Sequence, residues 1–238
     1  MCEHFVARSA EPFRLDALWP LAERLERYGI AGFGWGAAWV DASGDLRSHR
    51  DVRAFGDDPR RDEIGRHETT SALVHLRRPS KLSTMTIADA QPFDDPAGRF
   101  AFSHNGDLRE IRAWRERYRA AGRIHGRADT EVGARWLEDR WGTGSPPPVL
   151  LAELHRCFHG QANLAVLERG GGAHHYAGNA ENPVVTFRLG PVGVASTAIY
   201  SIDRSIFRLA APGATDRRVV RPGNTVTLAG DGSPLLAS

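Results

Sequence analysis

The spacing of apolar residues near the start of the chain predicts a helix. One face of a helix over residues 15–27 would carry Leu15, Leu18, Trp19, Ala22 and Leu25. Gly29 follows and is typical of a helix end. Further helices are expected at 107–121, 129–141 and 147–159, the last behind a run of prolines. The helices therefore concentrate in the middle of the chain.

Short apolar runs with Gly and Pro turns predict strands on both sides of that helical middle. The expected strands are 32–40, 71–76, 100–102, 162–168, 173–177, 184–189, 192–196, 205–209 and 224–229. Residues 47–70 are charged with little periodicity, so we expect a surface loop or short helix there. This order predicts an α+β fold in which sheets pack face to face and helices lie outside. We expect a single domain over residues 1–238.

Charge and cysteine content narrow the function classes. With 31 basic and 29 acidic residues, the chain is not expected to bind nucleic acid. Cys2 and Cys157 cannot form a disulfide framework. No signal peptide is visible and no apolar run reaches about 18 residues, so we expect a cytoplasmic protein without membrane contact. His155 and His159 have a spacing that a metal could use, but no other ligands accompany them, and we expect neither a metal nor a cofactor.

Cys2 is the first candidate for chemistry. A small second residue allows removal of Met1, and Cys2 would then carry a free α-amine beside its thiol. The reference pKa is about 8.5 for the thiol and about 7.7–8.0 for the amine, so one residue could supply both nucleophile and base. The alternative is that a cysteine at this position is incidental.

His104-Asn105-Gly106 is the second candidate. Asn-Gly is the preferred pair for a tight hairpin turn, which is the structural alternative. The functional interpretation is an oxyanion hole, in which an exposed Asn105 NH2 group and the Gly106 N–H converge on a developing negative charge.

Two charged residues could bind the ends of an amino acid. Arg77, in the segment His75-Leu76-Arg77 at the end of a predicted strand, could hold a carboxylate with two hydrogen bonds. Asp129, in Ala128-Asp129-Thr130-Glu131, could accept from an ammonium. The alternatives are a solvated arginine and an N-cap of the helix at 129–141.

The order of these motifs along the chain resembles class II glutamine amidotransferases, the N-terminal-cysteine branch of the N-terminal-nucleophile (Ntn) hydrolases. The resemblance runs from Cys2 to about Trp141, includes Gln91-Pro92-Phe93, and is weaker in the later strands. It implies a four-layer αββα sandwich with Cys2 at the end of a central strand.

The resemblance also implies a role for each residue. Cys2 matches the nucleophile and, through its amine, the base, while Asn105 and Gly106 match the oxyanion hole. Arg77 matches the residue that pairs with the glutamine α-carboxylate, and Asp129 the one that accepts from its α-ammonium. His75 and His104, from the same motifs, are included among the expected substrate-binding residues.

The expected activity is hydrolysis of a small γ-glutamyl amide through a thioester on Cys2. The chain would either supply ammonia from glutamine to a separate synthetase or remove a γ-glutamyl group from a conjugate. The second version resembles the stand-alone γ-glutamyl hydrolases of ergothioneine biosynthesis. A catalytically silent interaction subunit is the alternative. The family pattern is not followed at Glu3, Arg78, Pro79 and Lys81, so the sequence does not identify the leaving group of the substrate. It does not indicate the oligomeric state either.

Overall fold

Two antiparallel sheets form the centre of this computed structural model, which describes residues 2–29, 31–199 and 205–237. The strands are β1 Glu3–Arg14, β2 Trp35–Val40, β3 Leu46–Asp51, β4 Glu68–Leu76, β5 Phe93–Asp94, β6 Phe100–Gly106, β7 Ala162–Glu168, β8 Ala173–Tyr176, β9 Val184–Leu189, β10 Val192–Thr197, β11 Thr215–Val219, β12 Thr225–Leu228 and β13 Pro234–Ala237. The α-helices are α1 Trp19–Gly29, α2 Arg61–Gly65, α3 Arg112–Ala120, α4 Asp129–Arg140, α5 Pro147–Phe158 and α6 Ile206–Ala210.

The sheets and helices form four layers. The first sheet has the strand order β11-β9-β10-β1-β4-β2-β3, and the second has the order β13-β12-β8-β7-β6-β5. Apolar side chains from both sheets pack between them, for example Val6, Leu73 and Leu167. The outer face of the first sheet is covered by α1, α2 and α6, and that of the second by α3, α4 and α5. The expected αββα sandwich is confirmed.

Strand β1 fixes the position of Cys2. It pairs with β4 on one side, where Glu3 lies opposite Leu76, and with β10 on the other, where Phe5 lies opposite Ser196. The apolar pattern did not predict this strand. Phe5 packs in the core beneath the helices and Val6 packs between the sheets, so both faces are apolar and the alternation of a half-buried strand is absent.

Several other predicted elements need correction. The region 47–70 contains most of the edge strand β3 and the short helix α2. The strand predicted at 205–209 is instead the helix α6, Ile206–Ala210, because a short apolar run does not distinguish the two. The helix predicted at 107–121 begins at Arg112, five residues later than expected. The edge strands β11 and β13 were not predicted.

The helices within the described ranges are also too short or too polar to cross a membrane. The longest run twelve residues, in α4 and α5.

Candidate active site

One cleft of about 680 Å³ opens beside Cys2. Five segments line it: the residue before β1, the chain after β4, the end of β6, the start of α3 and the start of α4. The predicted site residues that line it are Cys2, Arg77, His104, Gly106 and Asp129. Cys2 and Arg77 meet because the start of β1 pairs with the end of β4, and the end of β6 reaches the same place, where the Asn105 amide donates to the Cys2 carbonyl oxygen.

The Cys2 thiol lies against the backbone of Arg78. Its Sγ accepts the Arg78 N–H at 3.2 Å, and the residue is partly exposed. Burial raises the pKa of the Cys2 thiol, whereas the Arg78 N–H and the charge of Arg77 act in the opposite direction. Because burial is the largest effect, the thiol needs a base before it can act as a nucleophile at neutral pH.

Arg77 follows the last residue of β4 and is buried. Its backbone N–H donates to the Gly34 carbonyl at 2.8 Å. Its guanidinium donates to the carbonyl oxygens of Thr84 and Thr86, the second at 3.5 Å, and burial lowers the pKa of Arg77. The charge has no carboxylate partner in the described part of the chain, so it is available to an anion in the cleft.

Asn105 and Gly106 end strand β6 and do not form a hairpin turn. Asn105 is fully buried, where an exposed side chain was expected, and its NH2 group donates to the carbonyl oxygen of Cys2. Its Oδ1 has no partner among the described residues. Gly106 has φ +122°, and a Cβ there would lie 1.8 Å from the Gln161 carbonyl oxygen. Only glycine fits this position.

Asp129 is the first residue of α4 and is not its N-cap, which is Ala128. Its Oδ2 accepts the Leu108 N–H at 2.8 Å, which aims the carboxylate toward β6. The Nδ1 atom of His104 lies 3.9 Å from Asp129 Oδ1 and 3.1 Å from the Thr130 hydroxyl. Burial lowers the pKa of His104, so the ring is neutral at neutral pH. A neutral His104 is not an ion-pair partner for Asp129, whose side chain is partly exposed in the cleft.

His75 lies away from the cleft, between the two sheets. Its Nδ1 atom lies 2.7 Å from the Ser103 hydroxyl, and the same hydroxyl lies 2.9 Å from Nδ1 of His4. The His175 ring packs 4.6 Å from that of His4. Burial lowers the pKa of all three histidines. The pair His174-His175 falls in a predicted hairpin, where the sequence favours solvated side chains, but both residues are buried.

Two cleft residues were missed by the sequence analysis. Asp89 is buried and its Oδ1 accepts the N–H groups of Arg127, at 2.5 Å, and Ala128, at 2.6 Å. It thereby ties the segment after Arg77 to the start of α4. Gln91 lines the cleft and accepts the His104 N–H at 2.7 Å. Gln91 could have been found, because Gln91-Pro92-Phe93 belongs to the resemblance, but a lone aspartate carries no signal.

Glu3 is a buried carboxyl group on the helix side of β1, and we expect it to make stability depend on pH. Burial raises the pKa of Glu3 to about 8, and the Thr197 hydroxyl donates to it. The ordinary value is about 4.3. Between these pH values the folded state binds more protons than the unfolded state, so stability falls as pH rises.

The change Glu3→Gln removes this titration. At pH 8 we expect the variant to melt about 2–6 °C above the unmodified protein, and at pH 4.5 the two should melt together. Thermal unfolding between pH 4.5 and 8.5 measures this, with Glu11→Gln on an exposed part of the same strand as control. Equal melting temperatures for Glu3→Gln and the unmodified protein at every pH would contradict it.

Comparison with known proteins agrees with this architecture. The chain is 28% identical over 194 residues to the glutamine–fructose-6-phosphate aminotransferase (isomerizing) of Aeropyrum pernix, covering 79% of this chain and 31% of that protein. No protein-family model matches the sequence.

Solved structures show the fold. A glutamine phosphoribosylpyrophosphate amidotransferase from B. subtilis, complexed with ADP and GMP, matches with TM-score 0.77 and 18% identity over 99% of this chain and 49% of that one. A glutamine aminotransferase class-II domain protein from Silicibacter pomeroyi matches with TM-score 0.64 and 18% identity over 98% of both chains. The chain therefore has the Ntn-hydrolase fold of class II glutamine amidotransferase domains. It spans about a third of the length of the A. pernix relative and half that of the B. subtilis enzyme.

Proposed function

We propose that the chain is an amidohydrolase that cleaves a γ-glutamyl amide through a thioester on Cys2. The observation that carries this proposal is the meeting of Cys2, Arg77 and Asp129 in one cleft. A thiol, a buried cation and a fixed carboxylate are the groups needed to attack an amide and to hold the two charged ends of an amino acid. The class II fold supports the same function.

Binding of the amino-acid end would use Arg77 and Asp129. The guanidinium of Arg77 donates to neutral carbonyl oxygens of Thr84 and Thr86. A substrate α-carboxylate would accept hydrogen bonds from the guanidinium in place of these carbonyl oxygens or in addition to them. Hydrogen bonds between two charged groups are stronger than those to a neutral carbonyl oxygen. The Asp129 carboxylate would accept from the α-ammonium. Fixing both ends orients the γ-carbonyl relative to Cys2 Sγ.

The chemical steps would use Cys2 alone for proton transfer. After removal of Met1, the α-amine of Cys2 takes the thiol proton and sulfur attacks the γ-carbonyl carbon. The amide C–N bond then breaks, and the leaving amine departs with that proton. Water attacks the thioester, gives a proton to the same amine, and the C–S bond breaks to release glutamate and restore the thiol. The Arg78 N–H would stabilise negative charge on sulfur.

The first test concerns the nucleophile itself. We expect the mature protein to lack Met1 and to be labelled once by 6-diazo-5-oxo-norleucine, with the label on Cys2. Intact-mass spectrometry followed by peptide mapping measures both. Active protein that retains Met1, or a label on Cys157, would show that the N-terminal-nucleophile mechanism is wrong.

A second test separates binding from chemistry, with glutamine as substrate. Arg77→Ala and Asp129→Ala should each raise KM about 10-fold or more, because each removes one charged contact to the amino-acid end, while kcat falls less. Steady-state kinetics measure this. Arg78→Ala is the matched control and should affect KM less than Arg77→Ala. Equal losses in kcat with unchanged KM for both variants would refute these roles.

Ammonia delivery to a synthetase is the second candidate function. The A. pernix relative, whose name describes a glutamine-dependent aminotransferase, is about three times as long as the part that matches. A partner chain could supply the rest of such an activity here. A comparison of kcat/KM for glutamine and for γ-glutamyl conjugates, with and without a candidate synthetase, decides between the versions. Glutamine cleaved fastest, and faster still with the synthetase, would favour ammonia delivery.

A further inference from the structure

Cationic side chains outnumber carboxylates in the wall of the cleft. The cations are Arg77, Arg78, Lys81, Arg115 and Arg127, and the carboxylates are Asp89, Asp107 and Asp129. The formal balance is thus positive, although the whole chain is nearly neutral. Lys81 is also the only lysine in the sequence.

Most of these charges already have partners. Asp107 pairs with Arg109 at 2.8 Å. Asp89 accepts two backbone N–H groups, and Arg115 donates to the carbonyl oxygens of Arg127, at 3.1 Å, and Ala128, at 2.9 Å. Arg77 and Asp129 are assigned above to the amino-acid end of the substrate. The cations left over are Arg78, Lys81 and Arg127, and all three are exposed.

Arg78 and Lys81 are exposed and form no ion pair with any residue that the structure describes. Exposed arginines elsewhere often do, as Arg47 does with Asp41 at 2.7 Å and Arg169 with Asp45 at 2.7 Å. Unpaired cations that line one cleft raise the local concentration of anions. Arg127 also lines the cleft and adds to the same field.

Arg78 lies next to the proposed nucleophile. Its backbone N–H contacts Cys2 Sγ, so its side chain begins beside the nucleophile. Arg77 precedes it and would hold the α-carboxylate of the glutamyl group. Lys81 lines the same cleft three residues further along the chain than Arg78. A group attached to the γ-nitrogen of the substrate would pass this part of the cleft as it leaves.

We infer that Arg78 and Lys81 form a subsite for an anionic leaving group. The preferred substrate is then a γ-glutamyl conjugate of an amine that carries a carboxylate, such as a γ-glutamyl amino acid or peptide. In the reaction the γ-glutamyl C–N bond breaks, the amine takes its proton from the Cys2 ammonium, and its carboxylate stays paired with the two cations until release. This inference rests on the proposed function.

The test compares two substrates of equal size, γ-glutamylglycine and γ-glutamylglycinamide, which differ in one charge. At low ionic strength we expect kcat/KM to favour γ-glutamylglycine by about 10-fold, and the preference to shrink in about 0.5 M salt. The double variant Arg78→Gln/Lys81→Gln should reduce the ratio to about 1, and Lys81→Glu should lower it below the unmodified value. Arg218→Gln, an exposed arginine on β11 outside the cleft, should leave the ratio unchanged. Because the readout is a ratio, a general loss of activity does not affect it.

A ratio near 1 in the unmodified protein, or one retained in the double variant, would overturn the subsite. Binding of the same two compounds to Cys2→Ala, measured by calorimetry, separates this from failure of the proposed function. If nothing is cleaved but γ-glutamylglycine binds more tightly and loses this advantage in the double variant, the subsite stands and the hydrolase proposal falls. If neither compound binds, the subsite is refuted as well.

Discussion

Replacing Cys2 with alanine should lower γ-glutamyl hydrolysis by about 10⁴–10⁶, the cost of removing a nucleophile that acts as a unit with its base. The side chain is small, partly exposed and at the end of β1, so the fold should be retained. Cys157→Ala is the matched control, because Cys157 lies in α5 away from the cleft, and it should keep full activity. Single-turnover assays and circular dichroism measure both parts.

A one-residue insertion tests the amine separately from the thiol. In a Met-Gly-Cys variant the thiol is present, but its α-nitrogen is in a peptide bond and cannot act as a base. We expect turnover as low as that of Cys2→Ala, while iodoacetamide still alkylates the thiol. Near-normal turnover in the insertion variant would show that another group removes the proton.

The second large effect is expected for Asn105→Ala, which should lower kcat by about 10²–10³, the usual cost of one oxyanion donor. In the structure one N–H of the fully buried Asn105 amide is directed to the Cys2 carbonyl, and in the proposed role the other would donate to a substrate oxygen. The residue could therefore act on the transition state or only hold Cys2 in place. Steady-state kinetics with glutamine measure the effect on kcat.

The rate of alkylation by iodoacetamide distinguishes these two roles, since that reaction forms no oxyanion. A donor to the oxyanion predicts a low kcat with a normal alkylation rate, whereas a purely positioning residue predicts that both fall together. Asn163→Ala is the matched control. Asn163 is buried opposite Asn105 on β7 and accepts the N–H groups of Gly178 and Asn179. Its replacement should therefore lower the free energy of unfolding but leave kcat close to that of the unmodified protein.

The sequence predicted several residues that line the cleft and most of the strands, but it missed β1. The ordered motifs located five of the residues that line the cleft, because each lies at a strand or helix end with a recognisable local sequence. The glycines at alternate positions of 32–36 favour a strand that another backbone approaches closely, and a Cβ on Gly36 would indeed lie 2.2 Å from the Gln91 carbonyl oxygen. Strand β1 was missed because it is buried on both faces.

Features that depend on contacts between distant segments were not predicted from the sequence. Nothing near Asp89 in sequence indicates that its carboxylate holds the backbone before α4. His175 lies in a segment that looks like a polar hairpin, yet it packs against His4 once the sheets come together. Asn105 was expected to be exposed because its neighbours suggested a turn. These errors share a cause, since burial by another sheet or segment leaves no periodicity in the local sequence.

The Ser103 hydroxyl lies between two histidine rings and determines which nitrogen of each ring carries a proton. It carries one proton for two ring nitrogens, those of His4 and His75. It can donate to one ring and must accept from the other, so the two histidines are held as opposite tautomers. One ring then presents N–H at Nε2 and the other a bare Nε2 to the interior between the sheets. Two side chains of identical chemistry are thus made unequal by a single hydrogen atom.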